Sequence, residues 1–265
     1  MRKILFAIVF TVAVAAALLV AFGDAVARAS WQRGWPNTAL LFDRSDADLA
    51  LTIGSHYFGA PRYDLDLAAS AYRKALRIDA KSPLAHYQLA RIYFVQGKFD
   101  GAIGEANREL EANAFNARSL YIRGLAYGFL KRYDRAEEDF SKFVRWAPTE
   151  WAGYNDLAWV LIAGGKSNEA EAVLADAIEE NPEFGANPWL LNNFGIAEMN
   201  LNDYRHAALA FARARHFAKR LTIEDWRRAY PGNNPADLAG GLEKFNQSVD
   251  ANLARAKSLS ANSLP

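Results

Sequence analysis

Residues 154–182 read Y-N-D-L-A-W-V-L-I-A-G-G-K-S-N-E-A-E-A-V-L-A-D-A-I-E-E-N-P, and this stretch decides the fold. Its apolar residues recur at helical spacing on either side of Gly164 and Gly165, so it encodes two helices joined by a tight turn. One residue in it, Ala170, belongs to a longer rhythm: Ala102, Ala136 and Ala170 are 34 residues apart. Ala207 follows after a three-residue insertion, and Ala68 precedes the series. A fixed period of this size is the mark of stacked repeats, in which each unit buries its neighbour's apolar face.

The residues around each alanine keep the same register. After Tyr154 come Leu157, Ala158, Leu161, Gly165, Ala170, Leu174, Ala177 and Pro182. One unit earlier stand Leu120, Arg123, Gly124, Tyr127, Tyr133, Ala136, Phe140, Phe143 and Pro148. The preceding unit has Leu89, Ala90, Tyr93, Gly97, Phe99, Ala102 and Ala106. The outer units carry Gly54, Tyr57, Ala68 and Tyr72, and Phe194, Gly195, Ala207 and Phe211. This pattern resembles the tetratricopeptide repeat (TPR) family, whose 34-residue unit is W-x2-L-G-x2-Y…A-x3-F…P. The resemblance implies an all-α solenoid of about five helix-turn-helix repeats closed by a C-terminal capping helix. It also implies a non-catalytic scaffold that binds protein or extended peptide, not an enzyme. Two residues break the pattern: Arg123 stands where an apolar side chain belongs, and Glu198 stands where the tyrosine belongs. A snorkelling arginine is the expectation for Arg123.

Small residues at Gly54, Ala90, Gly124, Ala158 and Gly195 fall within helices, where glycine costs about 1 kcal/mol relative to alanine. That cost is tolerable where a second helix approaches closely, and the recurring alanines are the expected opposing contact. Ser82-Pro83, Asn187-Pro188, Ser45 with Asp48, and Thr222 with Asp225 have helix-start spacing.

From Ile4 to Phe22 only Thr11 lies outside the apolar class. As a helix this stretch spans about 28 Å, near the hydrocarbon thickness of a bilayer. Arg2 and Lys3 precede it, which places the N-terminus in the cytoplasm and the rest across the membrane, in the periplasm for a Gram-negative source. The expectation is a signal anchor; the alternative is cleavage near Ala29, after Ala27-Arg28-Ala29. Trp31 and Trp35 either lie at the membrane interface or pack on the first repeat. The expected organisation is an anchor over 1–22, a linker over 23–45 and a solenoid over 46–221. Its repeats lie near 46–82, 83–116, 117–150, 151–184 and 188–221, followed by capping helices over 222–257 and a flexible tail over 258–265. A stripe of Leu238, Leu242, Phe245, Val249 and Leu253 marks the last helix as the cover.

The chain has 31 Lys and Arg against 30 Asp and Glu, a net charge of +1 that argues against nucleic acid as a partner. With no cysteine there is no disulfide, thiolate or lipidated cysteine to expect. The four histidines show no recognised ligand spacing, and phosphate-loop, dinucleotide and nucleophile-elbow motifs are missing. No cofactor and no metal are expected. Glu137, Glu138 and Asp139 read as a solvated helix face.

In the family, the first helix of each repeat lines a concave groove. Carried over, this gives Tyr87 and Arg91, then Tyr121, then Asn155 and Trp159, then Trp189, Asn192 and Asn193. Aromatic and arginine side chains are common binding anchors, and asparagine can both donate to and accept from a peptide backbone. The family's carboxylate-clamp residues are missing. Two alternatives remain: a self-associating platform, and a glycan-binding module using Trp159, Trp189 and Tyr121. The sequence leaves oligomeric state open.

Overall fold

The computed structural model describes residues 2–59, 62–229 and 237–262; the side chains of residues 2–10, 15, 16 and 18–21 lie outside the description. All regular structure among the described residues is helical. A first helix, α1 (Arg2–Gln32), and a short α2 (Pro36–Phe42) precede the paired helices. The pairs are α3 (Ala47–Phe58) with α4 (Leu65–Ile78), α5 (Ala85–Val95) with α6 (Phe99–Ala112), and α7 (Ala117–Phe129) with α8 (Tyr133–Trp146). They continue as α9 (Trp151–Ala163) with α10 (Ser167–Glu180), and α11 (Pro188–Asn200) with α12 (Tyr204–Ala218). Then come α13 (Ile223–Ala229) and α14 (Leu238–Asn262). The chain divides into two compact units, residues 1–89 and 90–265.

The turn inside each later pair follows one scheme. Gly97, Lys131, Gly165 and Asn202 occupy the left-handed region, with φ of 72°, 58°, 81° and 65°. The residue after each donates its N–H to a carbonyl five residues back: Lys98 to Tyr93, Arg132 to Tyr127, Lys166 to Leu161 and Asp203 to Glu198, at 2.8–3.0 Å. This is the Schellman closure, which satisfies carbonyls that a helix end would leave open. Helix starts are capped by side chains: Asp46 accepts from the N–H of Leu49, Asp64 from Leu67, Asn116 from Ser119, Asn187 from Trp189 and Leu190, and Asp203 from His206.

In the unit 90–265, α7 packs on α6 and α8, α9 on α8 and α10, and α11 on α10 and α12. The first helices also meet one another, α7 with α9 and α9 with α11. Ala136, Phe140, Leu157, Ala158, Val160, Leu161, Leu174 and Leu190 form one continuous core. The close approach within a pair differs from the sequence expectation. A Cβ on Gly54 would lie 2.5 Å from the Tyr72 ring, one on Gly124 3.0 Å from Phe140, and one on Gly195 2.6 Å from Phe211. The small residue therefore faces the aromatic ring four residues beyond the recurring alanine. Where the small residue is Ala158, the facing position holds Leu174, in the same core.

Several other expectations change. Asp46 caps α3, while the Ser45 hydroxyl donates to Asp24. Ser82 does not cap α5, because Leu84 turns left-handed (φ 62°) and the helix begins at Ala85. Thr222 and Asp225 do form the reciprocal box at the start of α13. Proline and glycine at 231, 232 and 235 favour a helix end followed by a helix start, and all three lie outside the described residues. The last helix runs on to Asn262.

Asp139 is not solvated: its side chain is 2% exposed and takes both arms of Arg123, at 2.7 and 2.8 Å. Arg123 also donates to Asn107 at 2.7 Å, so it ties α6, α7 and α8 together instead of snorkelling.

In the unit 1–89, residues 23–45 are mostly helical. Asp24 accepts from the Arg44 and Ser45 N–H groups, and Tyr57 donates to Asn37 at 2.7 Å. Trp31 lies edge-on to His56 of α3, whereas Trp35 is exposed with Arg33 over its ring. Much of the expected membrane segment, residues 4–22, falls on side chains outside the description. Among the described residues no helix is long and apolar enough to cross a membrane.

Candidate functional site

Successive first helices in the unit 90–265 expose equivalent positions side by side, and polar side chains bridge them. Tyr121 on α7 donates to Asp156 on α9 at 2.5 Å. Asn155 donates to the other Asp156 oxygen at 3.0 Å. Asn193 on α11 donates to both the backbone carbonyl and the side-chain oxygen of Asn155, each at 3.0 Å. The result is a half-buried ladder across three repeats. Burial pushes the Asp156 carboxyl up to about 6, against the lowering effect of the Tyr121 and Asn155 hydrogen bonds. The Asn155 amide thus gives one N–H and one lone pair to the ladder and keeps one of each. What remains toward solvent is a fixed polar strip, held by groups that need no rearrangement.

Beside the strip lies an aromatic patch. Trp159 on α9 sits against Phe129 at the end of α7, with ring centroids 5.5 Å apart. A Cβ on Gly128 would fall 2.6 Å from the Trp159 ring, so only glycine there admits this placement. Phe129 in turn stacks on Phe99 at 5.2 Å and meets Phe94 edge-on at 5.4 Å. Phe129 is 54% exposed. Phe94, Phe99 and Phe129 come from the ends of separate helices, and only this packing makes one patch of them. A sequence clue existed in Phe99, which follows the turn glycine Gly97.

Two of the expected groove residues are covered by the chain's own C-terminus. Trp189 is 7% exposed, stacked between Trp151 at 4.9 Å and Phe245 of α14 at 5.5 Å, with Trp226 of α13 beside it. Asn192 accepts from Asn252 of α14 at 3.1 Å. Val249 joins Leu191 and Ala214 in a buried cluster, and Leu253 joins Phe211. The α14 stripe thus packs on the last helix pair. Tyr87 and Arg91 lie on α5, one in each unit. The structure thus brings Tyr121, Asn155, Trp159 and Asn193 into one neighbourhood and seats Trp189 and Asn192 under α14.

Two tetratricopeptide-repeat family profiles match the sequence, over residues 62–121 and 117–150. Among curated proteins none matches significantly. Solved structures share the fold. MamA is 18% identical with a TM-score of 0.57, over 70% of this chain and 95% of that one. YrrB, described as a TPR protein with an unusual peptide-binding site, is 19% identical with a TM-score of 0.56, over 70% and 98%. Pseudomonas aeruginosa PilF is 20% identical with a TM-score of 0.56, over 79% and 90%. Residues 62–150 of this chain thus match tetratricopeptide-repeat profiles, and the chain shares its fold with solved tetratricopeptide-repeat structures.

Proposed function

We propose that the chain is a protein-interaction scaffold that holds an extended peptide across the first helices of its third to fifth repeats. The observation that carries this is the ladder of Tyr121, Asp156, Asn155 and Asn193 running beside Trp159 and Phe129. An extended peptide needs backbone partners at intervals and a few apolar pockets, and a polar strip next to exposed rings offers both. The strip is held by internal hydrogen bonds, so binding would cost little ordering. Trp189 and Asn192 bound the site by receiving α13 and α14. YrrB's description as peptide-binding agrees with this reading.

The apolar run over residues 4–22 supports tethering to a membrane, with the repeats on the extracytoplasmic side and a role in envelope assembly, secretion or maturation. Alkaline phosphatase fusions after residue 45 test this, since they are active only if the following residues reach an oxidising compartment.

Peptide selection tests the groove. Displayed random dodecapeptides are selected on the full chain in detergent, in parallel with a Trp159→Ala variant. Sequences enriched on the wild type and lost on the variant support the site. Equal enrichment on both removes the proposed surface.

A further inference from the structure

Glu198 occupies the place of the repeat pattern's tyrosine, where the earlier units have Tyr57, Tyr93, Tyr127 and Leu161. Its backbone carbonyl takes the Schellman bond from Asp203, as the pattern requires. Glu198 is 7% exposed, and among the described residues its carboxylate, which reaches the cavity, receives no hydrogen bond. A buried carboxylate in that condition is costly unless something positive meets it. The carboxylate faces an open cavity of about 1080 Å³ between α10, α11 and α12, whose wall also includes Asp203 and His206.

Asp203 caps α12 through one oxygen, which accepts from the His206 N–H at 3.0 Å. Its other oxygen lies 2.7 Å from His206 Nδ1. One ligand atom from each of Glu198, Asp203 and His206 lies within 4.8 Å of the other two. We propose that Glu198, Asp203 and His206 form a binding site for a divalent first-row metal ion of the zinc class.

Zinc holds nitrogen and oxygen ligands at about 2.0–2.2 Å, which puts tetrahedral ligand atoms about 3.3 Å apart. Reaching that spacing asks the Glu198 and His206 side chains to close by at most about 1.5 Å. The open cavity leaves the fourth position to water. An imidazole nitrogen disfavours magnesium and calcium, and the lack of sulfur disfavours copper(I). Glu171 on α10 adds negative charge to the same wall, while Arg205 and Arg213 lie nearby and temper it. A bound ion would join the last turn of α11 to the first turn of α12 across Leu201 and Asn202. It would thus lock the hairpin that α14 covers.

The test is calorimetric titration of the tag-free, chelator-treated full chain with zinc chloride. One saturable site is expected, and calcium chloride in the same range should give no heat. Loss of an outer-shell partner costs about 10–100-fold in metal affinity, and Glu198→Gln and His206→Ala each remove a direct ligand, so roughly 100-fold weakening is expected. His216→Ala, on the same cavity wall outside the triad, should keep wild-type affinity. His206 is exposed, so its variant keeps the fold, which circular dichroism verifies. Absence of saturable zinc binding overturns the proposal. Zinc binding that survives both triad variants also overturns it, as does calcium binding of equal affinity.

Discussion

The third and fifth repeats each place a charge where the pattern calls for an uncharged side chain, and they treat it in opposite ways. Arg123 in the third repeat is met by Asp139 through two hydrogen bonds and by Asn107 through one. The Asp139 hydrogen bonds raise the Arg123 pKa above its usual value. Glu198 in the fifth repeat is 7% exposed, yet no donor among the described residues answers it. One charge is built into the packing of three helices. The other faces a cavity beside a carboxylate and a histidine. Within one fold, a departure from the repeat pattern becomes a structural tie when the neighbouring helix supplies its partner, and a candidate site when it does not. Asp156 falls between them, with two neutral donors and no cation.

Removing the partner from the satisfied charge should have the largest effect. Asp139→Ala leaves the half-buried Arg123 charge with only the neutral Asn107, for a loss of about 3 kcal/mol in urea unfolding. Replacing both by leucine should recover most of it, since no charge is then stranded. A single variant no worse than an ordinary surface substitution would remove the contrast.

Asp156 comes next. Its folded pKa of about 6 exceeds the unfolded 3.8, so the folded state holds the proton more tightly. Its contribution is therefore most favourable below 3.8 and is lost as pH rises through about 6. At about 1.4 kcal/mol per pKa unit, the swing is at most about 3 kcal/mol. Asp156→Asn should flatten this segment, read as thermal midpoints at pH 4.5, 6 and 7.5. Parallel curves for the two proteins would contradict the assignment.

A smaller and opposite effect is expected at Glu198. Glu198→Tyr restores the pattern and removes an unanswered carboxylate, so metal-free stability should rise by about 1 kcal/mol. Destabilisation would mean that Glu198 is already satisfied.

The backbone offers the finest contrast. Lys131 and Asn202 take the left-handed turn position that glycine fills at Gly97 and Gly165. Lys131→Gly should gain up to about 1 kcal/mol and Asn202→Gly less, because asparagine visits that region more readily. Equal changes in thermal midpoint would remove the distinction.

The period of Ala102, Ala136 and Ala170 made the helix pairs legible, because stacking imposes the same small residue at the same place in every unit. The Gly–aromatic pairs were only half legible. Gly54 and Tyr72 are both visible in the sequence, but their contact depends on the angle between helices. Asp139 could not be distinguished from Glu137 and Glu138 without knowing which side of α8 meets α7. Asn155 and Asn192 recur as a pair in the sequence, yet their partners, Asn193 and Asn252, lie on separate helices. The α14 stripe announced a cover without showing that Trp189 lies beneath it. Glu198, Asp203 and His206 straddle a turn, so their spacing matches no helical ligand motif.

The most direct measurement is fluorescence anisotropy of the most enriched selected peptide against the full chain and two variants, Trp159→Ala and Leu209→Ala. Leu209 is 57% exposed on α12, away from the ladder. Trp159→Ala should weaken binding at least about tenfold, the loss of one aromatic anchor, and Leu209→Ala should leave it unchanged. Unaltered affinity in Trp159→Ala would contradict a binding face along the first helices.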